Sequence, residues 1–291
     1  MFFYFLYRTG QFIALRLPLK SVYGLAVFIA DLHFLFSRHD RRAVYFNLKA
    51  IFPRKSENEI RTIRRSIFRN FAKYLVDFFR YPILNREFID SNISVRNIHY
   101  LDEALANGKG GIVLAAHIGN WELGGVVVAA LHYPFSAVAL THKNEKVNRF
   151  FDEKRETMGI KVIPLRNSLR KCFRVLKDNG LVALLGDREF TRNGGVIAEF
   201  LGKRALLPQG PAFLALKSGA AIIPGCMVRN TGDRFTLMFE KPIYPPDAGS
   251  FEDNLRLLQT ETSRVIEKWI RSFPEQWYVF RQYWADGGNG S

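Results

Sequence analysis

The sequence predicts an α/β fold: a mixed, mostly parallel central sheet flanked by helices. Beyond Asn92, short apolar runs of strand length alternate with amphipathic stretches. Strands separated by helices of about ten residues are typical of βαβ units and a parallel sheet. The chain has 291 residues, 48% of them apolar, so it is long enough to bury a sizeable core and too apolar for a disordered protein.

The individual elements follow from the same periodicities. The predicted strands are Ile112–Ala116, Ser136–Leu140, Lys161–Leu165, Leu181–Gly186, Ala221–Met227 and Phe235–Glu240. The predicted helices are Trp121–His132, Lys146–Met158, Leu169–Asp178, Pro211–Ser218 and Glu252–Ser272. Ahead of the sheet, apolar residues at steps of three and four predict an amphipathic helix over Glu57–Phe79. Its arginines either face solvent or contact anionic lipid. No Pro- or Ser-rich linker interrupts residues 41–291, which we interpret as one α/β domain.

Residues 1–40 are predicted to form a helical extension that associates with a membrane. Val22–Phe36 is strongly apolar, but no uninterrupted run reaches the roughly 20 residues of a spanning helix. A helix in the membrane interface, or a poor anchor, fits better than a signal peptide, and a buried helix of a soluble domain is the alternative. Arg38, Arg41 and Arg42 follow, and such flanking charge marks the cytoplasmic side. We therefore expect the body of the protein on the cytoplasmic face.

The net charge of +15 predicts an anionic partner: nucleic acid, an anionic membrane surface, or an acidic protein or substrate. No recognisable nucleic-acid-binding motif is present, so we expect no nucleic acid partner. The cysteines, Cys172 and Cys226, have no metal-ligand spacing, which favours neither a disulfide framework nor a zinc ribbon and fits a reducing cytoplasm.

The most informative segment is GGIVLAAHIGNWELGG, residues 110–125. It places His117 at the end of a strand, where open α/β sheets bind ligands. A turn at Gly119 would let Glu122 accept the Nδ1 proton of His117 and leave Nε2 as a general base. A structural histidine is the alternative. The His-x4-Glu spacing is not the two-histidine pair of zinc proteases, so no metal is expected.

Other catalytic motifs are missing from the sequence. There is no Gly-x-Ser-x-Gly elbow, no glycine-rich phosphate loop and no Gly-x-Gly-x-x-Gly run. A base without a protein nucleophile most simply activates a hydroxyl of the substrate for direct attack on an electrophile. No cofactor is expected.

Several further segments carry a resemblance that covers nearly the whole chain. They are NLKAIFP at 47–53, HIGNWE at 117–122, RETMG at 155–159, LLGDRE at 184–189, residues 194–224 and the aromatic tail around Trp277. Together they resemble the bacterial lipid A biosynthesis acyltransferases, the lauroyl and myristoyl transferases. The shorter His-x4-Asp/Glu pattern is shared with glycerolipid acyltransferases, whose fold the resemblance implies. The family usually has Asp-Gln where this chain has Asp187 and Arg188.

The resemblance implies acyl transfer from an acyl carrier protein or CoA thioester to a hydroxyl of a lipid A precursor, in lipopolysaccharide biosynthesis at the bacterial inner membrane. His117 would be the base and Glu122 would orient it. Backbone N–H groups at the start of the Trp121 helix, or Arg155, would bind the oxyanion, with a surface salt bridge as the alternative for Arg155. Asp187 would bind the acceptor or hold Arg155, with a turn-capping role as its alternative.

Other residues receive lesser roles. Asn120 is expected chiefly to cap the helix, ahead of any direct role. Basic residues after the LLGDRE strand either receive anionic sugar phosphates or lie in a solvated loop; they are Arg188, Arg192, Lys203 and Arg204. The acidic carrier protein, the phosphorylated acceptor and an anionic leaflet would all be attracted by the basic surface. Alternatives are a glycerophospholipid or aminolipid O-acyltransferase, or a basic membrane-binding module without activity.

Overall fold

Strands and helices alternate along most of the chain, as the apolar spacing predicts. The computed structural model describes residues 2–189 and 195–284, so Arg192 lies outside the described residues. The strands are β1 Ile93–Arg96, β2 Gly111–Ala115, β3 Phe135–Ala139, β4 Lys161–Pro164, β5 Leu181–Leu185, β6 Gly195–Phe200, β7 Lys203–Pro208, β8 Ala221–Arg229 and β9 Phe235–Phe239. The helices are α1 Phe2–Arg16, α2 Leu19–Phe36, α3 Arg38–Ile51, α4 Glu57–Phe79, α5 Arg86–Asn92, α6 His99–Ala106, α7 Trp121–Ala130, α8 Glu145–Thr157, α9 Ser168–Lys177, α10 Gly210–Ser218 and α11 Phe251–Ser272. Every strand and helix predicted beyond Asn92 is confirmed, and β1, α6 and the β6–β7 hairpin are additions.

Within the described part of the chain, seven strands form one sheet in the order β1-β9-β8-β2-β5-β3-β4. All neighbours in it are parallel except β8 and β9, which are antiparallel. The predicted mixed, mostly parallel sheet is therefore confirmed. β6 and β7 pair with each other as a separate antiparallel hairpin. Because β2 and β5 are parallel neighbours inside the sheet, the residues that follow these two strands lie close together at the carboxyl ends of the strands.

Helices cover both faces of the sheet. On one face, which we call the α7 face, α6, α7 and α8 pack through apolar residues that include Leu101, Val127 and Phe150. On the opposite face, the α9 face, α9, α10 and α11 pack through residues such as Leu214 and Ile266. Strand side chains alternate between the two faces, as the pleat requires. The α1, α2 and α4 helices add their apolar residues to the core of the α7 face.

The first helices leave much apolar surface uncovered. Several side chains of α1 and α2 are exposed: Phe5, Leu6, Phe12, Phe28, Ile29, Leu35 and Phe36. By length and composition α2 is able to cross a membrane, with a mean hydropathy of 1.5 and 22% of its residues buried. These properties support association with a membrane.

The acidic residue of α2, Asp31, is neutralised by α4. Asp31 receives a forked pair of hydrogen bonds from Arg65, both 2.9 Å, and a second pair from Arg69. Two of the arginines predicted on the polar face of α4 therefore bind α2. They hold the N-terminal helices to the rest of the chain.

Candidate active site

His117 lies two residues beyond the end of β2, at a sharp turn into α7. The turn depends on Gly119, which has a φ of +60° and on which a Cβ atom would lie 1.8 Å from the carbonyl oxygen of Met227. Only glycine fits there. The imidazole of His117 packs edge to face against Trp121, with ring centroids 5.1 Å apart. The predicted glycine turn is confirmed, and it turns α7 back along the sheet.

The partner of His117 is Asp187, which lies two residues beyond the end of β5. Nδ1 of His117 is 2.7 Å from Oδ1 of Asp187, and the backbone N–H of His117 donates to the same oxygen at 3.1 Å. The parallel register pairs Ala115 of β2 with Leu185 of β5, so two more steps along each strand bring the two residues together. Neighbouring strand ends thus build the pair.

Glu122 does not meet His117 at Nδ1, and the prediction that it accepts this proton is wrong. Its carboxylate faces α8, where Arg155 binds it through Nε at 3.0 Å and Nη2 at 2.7 Å. Glu122 lies in the first turn of α7, past the Gly119 turn, and its hydrogen bonds with Arg155 engage it with α8. Asp187 already occupies Nδ1 from the adjacent strand.

Arg155 is held in a largely buried ion-pair cluster. Besides Glu122 it donates to Asp152 at 3.2 Å, and its side chain is 11% exposed. The guanidinium therefore links α7 to α8 and is not a surface pair. It does not contact Asp187, so the prediction that Asp187 holds Arg155 is also wrong.

The protonation states follow from burial and partners. Burial lowers the pKa of His117, and the opposing attraction of Asp187 does not fully offset it. Burial alone would raise the pKa of Asp187, but His117 and Arg188 outweigh it and hold that pKa well below its ordinary value. At neutral pH the imidazole is therefore neutral and the carboxylate charged. The neutral ring then carries its proton on Nδ1, facing Asp187.

Asn120 caps α7, as predicted. Its Oδ1 accepts from the N–H of Leu123 at 3.1 Å, and its Nδ2 donates to Oδ2 of Asp77 at 2.7 Å. Asp77, from α4, is also bound by Arg229 of β8 and by Tyr23 of α2. Sequence reasoning missed this buried cluster, which connects the His117 turn to the N-terminal helices.

Arg188 lies beside the pair. Its Nη2 donates to the carbonyl oxygen of Tyr278 at 2.9 Å, and its Nε lies 3.4 Å from Oδ2 of Asp187. Lys203 and Arg204 are exposed on the β6–β7 hairpin. The structure thus brings Arg188, alone of the described basic candidates after the LLGDRE strand, next to His117.

The C-terminal segment contacts both residues of the His117–Asp187 pair. Nε1 of Trp277 donates to Oδ2 of Asp187 at 3.1 Å, and the N–H of Tyr278 donates to the carbonyl oxygen of His117 at 3.0 Å. The side chain of Asn47, in α3, bonds the backbone of Arg281 and of Tyr283 at 2.8 and 2.9 Å. Trp277 and Asn47 lie in two of the segments that carry the family resemblance. The resemblance marks these segments, but it does not indicate which atoms the two residues contact.

A cavity of about 630 Å³ opens beside His117. Apolar side chains of β3, β5, α7, α9 and α10 form most of its wall, and its charged lining is Glu122, Arg155, Arg188 and Glu189. Among residues 2–189 and 195–284, no three His, Cys, Asp or Glu side chains are grouped so as to hold a metal ion. A neutral, oriented imidazole on the wall of an apolar cavity suits proton transfer during chemistry on a lipid.

Comparison with known proteins identifies the family of this chain. The sequence profile of the bacterial lipid A biosynthesis acyltransferase family matches residues 1–286. The phosphatidylinositol mannoside acyltransferase of Mycolicibacterium smegmatis is 31% identical over 225 residues, covering 76% of this chain and 71% of that protein. A lipid A biosynthesis acyltransferase of Haemophilus influenzae is 21% identical over 267 residues, covering 91% and 81%.

Among solved structures, the crystal structure of the 1-acyl-sn-glycerophosphate acyltransferase PlsC from Thermotoga maritima is similar, with a TM-score of 0.41 and 14% identity over 89% of this chain and 99% of that one. The match of the family profile to nearly the whole sequence decides the assignment. The chain belongs to the bacterial lipid A biosynthesis acyltransferase family and is an acyltransferase.

Proposed function

We propose that this protein transfers a fatty acyl chain from a carrier thioester to a hydroxyl of an anionic glycolipid, with a lipid A precursor as the first candidate acceptor. The observation that carries the proposal is the His117–Asp187 pair, 2.7 Å apart, with His117 on the wall of the apolar cavity. The pair supplies a base, and the cavity supplies a place for an acyl chain. The family to which the chain belongs narrows the reaction to acyl transfer.

In this mechanism Asp187 accepts the Nδ1 proton of His117, so Nε2 is the basic nitrogen. Nε2 removes the proton of the acceptor hydroxyl while its oxygen attacks the thioester carbonyl. A C–O bond forms, and the carbonyl π electrons move to the oxyanion. When the oxyanion collapses, the C–S bond breaks and the imidazolium returns its proton to the leaving thiolate. The products are an ester and a free thiol.

The oxyanion requires donors beside His117. The first N–H groups of α7 lie immediately after the His117 turn, and the N-terminus of a helix favours negative charge. Arg188 adds a guanidinium on the cavity wall. We assign the charge-stabilising role to these groups and a structural role to Arg155, because its fork is already engaged by Glu122. Glu122 is accordingly proposed to shape the site and not to orient the base.

A second acceptor has a specific observation in its favour. This chain is 31% identical in sequence to the phosphatidylinositol mannoside acyltransferase and 21% identical to the lipid A biosynthesis acyltransferase. Both names denote glycolipids that carry phosphate and free hydroxyls. A phosphatidylinositol mannoside is therefore the second candidate, and the shared chemistry is a sugar hydroxyl on an anionic lipid.

We propose acyl carrier protein as the donor's carrier, because α9 presents basic charge beside the cavity. Ser168 and Leu169, at the start of α9, line the cavity. The exposed basic residues of this helix and the turn before it are Arg166, Arg170, Lys171, Arg174 and Lys177. An acidic protein would be attracted to this surface while delivering its thioester to the cavity mouth.

The acceptor is a membrane lipid, and the exposed apolar side chains of α1 and α2 provide the membrane contact. They belong to the α7 side of the molecule, whereas α9 covers the opposite face of the sheet. We propose that the protein lies on the cytoplasmic face of the inner membrane. The membrane and the soluble donor would then approach from different sides.

The test uses the purified full-length protein. Acyl carrier protein and CoA thioesters are each offered with a lipid A precursor, a phosphatidylinositol mannoside and a lysophosphatidate, and acylated products are measured by mass spectrometry. We expect turnover with a glycolipid acceptor and its loss in His117→Gln, while His99→Gln, at an exposed position of α6, stays active. Preference for lysophosphatidate, or a fully active His117→Gln, would contradict the proposal.

A further inference from the structure

Most of the strand residues that line the cavity on the α7 face of the sheet are alanines, with Leu185 and Phe135 as the larger exceptions. Ala115 of β2, Ala183 of β5 and Ala137 and Ala139 of β3 all line the cavity, and they lie on three neighbouring strands. Strand interiors normally carry larger, branched residues that fill the space under a helix. Alanine leaves that space open between the sheet and α7. The cavity on this face is therefore built by the choice of residues.

The far end of this space is closed by three residues. Gly125 of α7, Phe135 at the start of β3 and Ile160 just before β4 line the cavity, and the latter two are buried. A Cβ atom on Gly125 would lie 3.1 Å from Cε1 of Phe135 and 3.3 Å from Cδ1 of Ile160. A methyl group on Gly125 would therefore be in tight contact with Phe135 and Ile160 at the closed end.

The strand register and α7 fix the position of this end relative to His117. The strand register places Phe135 beside Leu181, and Leu181 beside Gly111, which is six residues before His117. At about 3.3 Å per residue the backbone of Phe135 lies roughly 20 Å along the strands from the level of His117, and the Phe135 ring reaches back to Gly125, about 6 Å along α7 from Trp121. This part of the cavity, which we call the α7-face arm, therefore begins at His117 and ends where the ring of Phe135 meets Gly125.

The backbone conformation of residue 125 does not require a glycine. It lies inside α7 without a positive φ, and glycine is a poor residue for a helix interior. The neighbouring Gly124 has a different environment: a Cβ there would meet Met227 and Leu237 at 3.4 and 3.5 Å, and Gly124 does not line the cavity. What distinguishes Gly125 is the wall it forms.

We propose that Gly125, together with Phe135 and Ile160, sets the length of the fatty acyl chain that this enzyme transfers. The inference rests on the proposed function, because it places the chain of the donor thioester in the α7-face arm with its terminal methyl group against these residues. One additional carbon on Gly125 removes the room for the last carbons of the longest accepted chain. A pocket that must exclude one or two methylenes discriminates by about tenfold or more.

The cavity also extends to the α9 face, where Val138, Leu184, Cys172 and Phe213 line it. That part opens to solvent, since Leu140 and Leu169 on its rim are 50% and 48% exposed. His117 packs against Trp121 of α7, on the other face. The α9 part is the entrance for the carrier arm, and the closed α7 arm receives the chain.

The experiment is a competition among thioesters of different chain length, with products read by mass spectrometry. In Gly125→Ala we expect the preferred chain to shorten by about two carbons, with kcat/KM for the longest wild-type substrate reduced about tenfold or more and shorter chains retained. Gly124→Ala, one residue away in the same helix, should keep the wild-type profile. Phe135→Leu enlarges the closed end and should lengthen the preferred chain, so the inference remains testable if Gly125→Ala does not fold.

Two results would overturn the inference: an unchanged length profile in folded, active Gly125→Ala and Phe135→Leu, or a profile that shifts instead in Cys172→Leu, which fills the α9 part. Either result leaves the acyl transfer itself intact. Failure of the proposed function would show differently, as wild-type protein without turnover of any thioester. The two failures are thus distinguishable.

Discussion

The carboxylate of Asp187 lies 2.7 Å from Nδ1 of His117 and is 0% exposed. Both of its oxygens are occupied, since Trp277 donates to Oδ2 at 3.1 Å. A buried charge with two such partners is fixed in position. The pair is therefore preorganised: the imidazole has one tautomer and one orientation before any substrate binds.

Asp187→Asn is expected to lower the plateau rate by about 10²- to 10⁴-fold, because the amide does not stabilise the imidazolium or fix the tautomer. The pH dependence gives a signed test. Catalysis needs neutral His117, so activity is lost as the pH falls through the pKa of that residue. Asp187 raises that pKa against the lowering effect of burial. Its removal should move the acid limb of the pH–rate profile to lower pH.

The matched control for Asp187→Asn is Asp152→Asn, which removes a carboxylate from the neighbourhood of Arg155 without touching His117. Its acid limb should coincide with the wild-type one. An Asp187→Asn enzyme whose acid limb is unchanged, or moves to higher pH, would show that Asp187 does not act on His117 electrostatically.

The Glu122–Arg155 pair should behave as a structural unit. Both side chains are nearly buried, and breaking such a pair from one side leaves an uncompensated charge that costs about 3–5 kcal/mol of the free energy of unfolding. Glu122→Gln and Arg155→Gln should each show a large part of this loss by chemical denaturation. The double variant should lose clearly less than the sum of the two, because neither charge is then left alone.

If Glu122 oriented the base, Glu122→Gln would reduce the rate as much as Asp187→Asn and in the same pH-dependent manner. We expect instead a smaller rate effect that follows the loss of stability. If the losses in the free energy of unfolding were additive in the double variant, Glu122 and Arg155 would not act as one structural unit.

Trp277 is expected to support Asp187 through its N–H. Trp277→Phe keeps an aromatic ring but removes the donor to a buried carboxylate, a bond worth about 1.5–3 kcal/mol. The result should be a rate about tenfold or more below wild type, measured at saturating substrate.

Trp269→Phe is the matched control. Trp269 is likewise buried, but within the described residues its Nε1 has no hydrogen-bond partner. Removing that N–H leaves no acceptor unsatisfied, so the rate should stay near wild type. Equal losses of rate in the two variants would indicate that Trp277 acts by packing alone.

How much of this site could be predicted from the sequence depends on the range of the interactions. The apolar spacing predicts β2 and α7, and the Gly119 turn between them, because each depends on residues close in the chain. Asp187 lies 70 residues from His117, and only the order of the strands brings β5 beside β2. The sequence distance between His117 and Glu122 is short, and it favoured the wrong carboxylate.

The supporting residues show the same limit. Asn47 and the C-terminal segment meet across more than 230 residues, through hydrogen bonds to backbone atoms that no residue pattern specifies. The β6–β7 hairpin was missed because its strands do not join the main sheet and carry exposed apolar residues such as Ile197. Local periodicity reports burial against a core, and this hairpin lacks the regular alternation of such a strand.

The basic surface of α9 should govern the use of acyl carrier protein. Replacing Arg170, Arg174 and Lys177 by Glu reverses the charge on the exposed side of α9, so the acidic donor is repelled where it was attracted. We expect KM for the acyl carrier protein substrate to rise about tenfold or more at low ionic strength, with kcat little changed. The wild-type KM should rise with added salt, whereas that of the variant should respond weakly or fall.

A second triple variant with the same change in net charge distinguishes the effect of the α9 surface on KM from the effect of the overall charge of the protein. Arg86, Arg96 and Lys241 are exposed and lie in α5, in β1 and next to β9, at the edge of the sheet opposite β4 and α9. Replacing them by Glu should alter KM and its salt dependence much less. If both triple variants respond equally, long-range attraction to the whole basic molecule acts instead, and a donor docked on α9 is wrong. If the α9 variant keeps its wild-type KM, carrier protein binds on another surface, such as the exposed hairpin that bears Lys203 and Arg204.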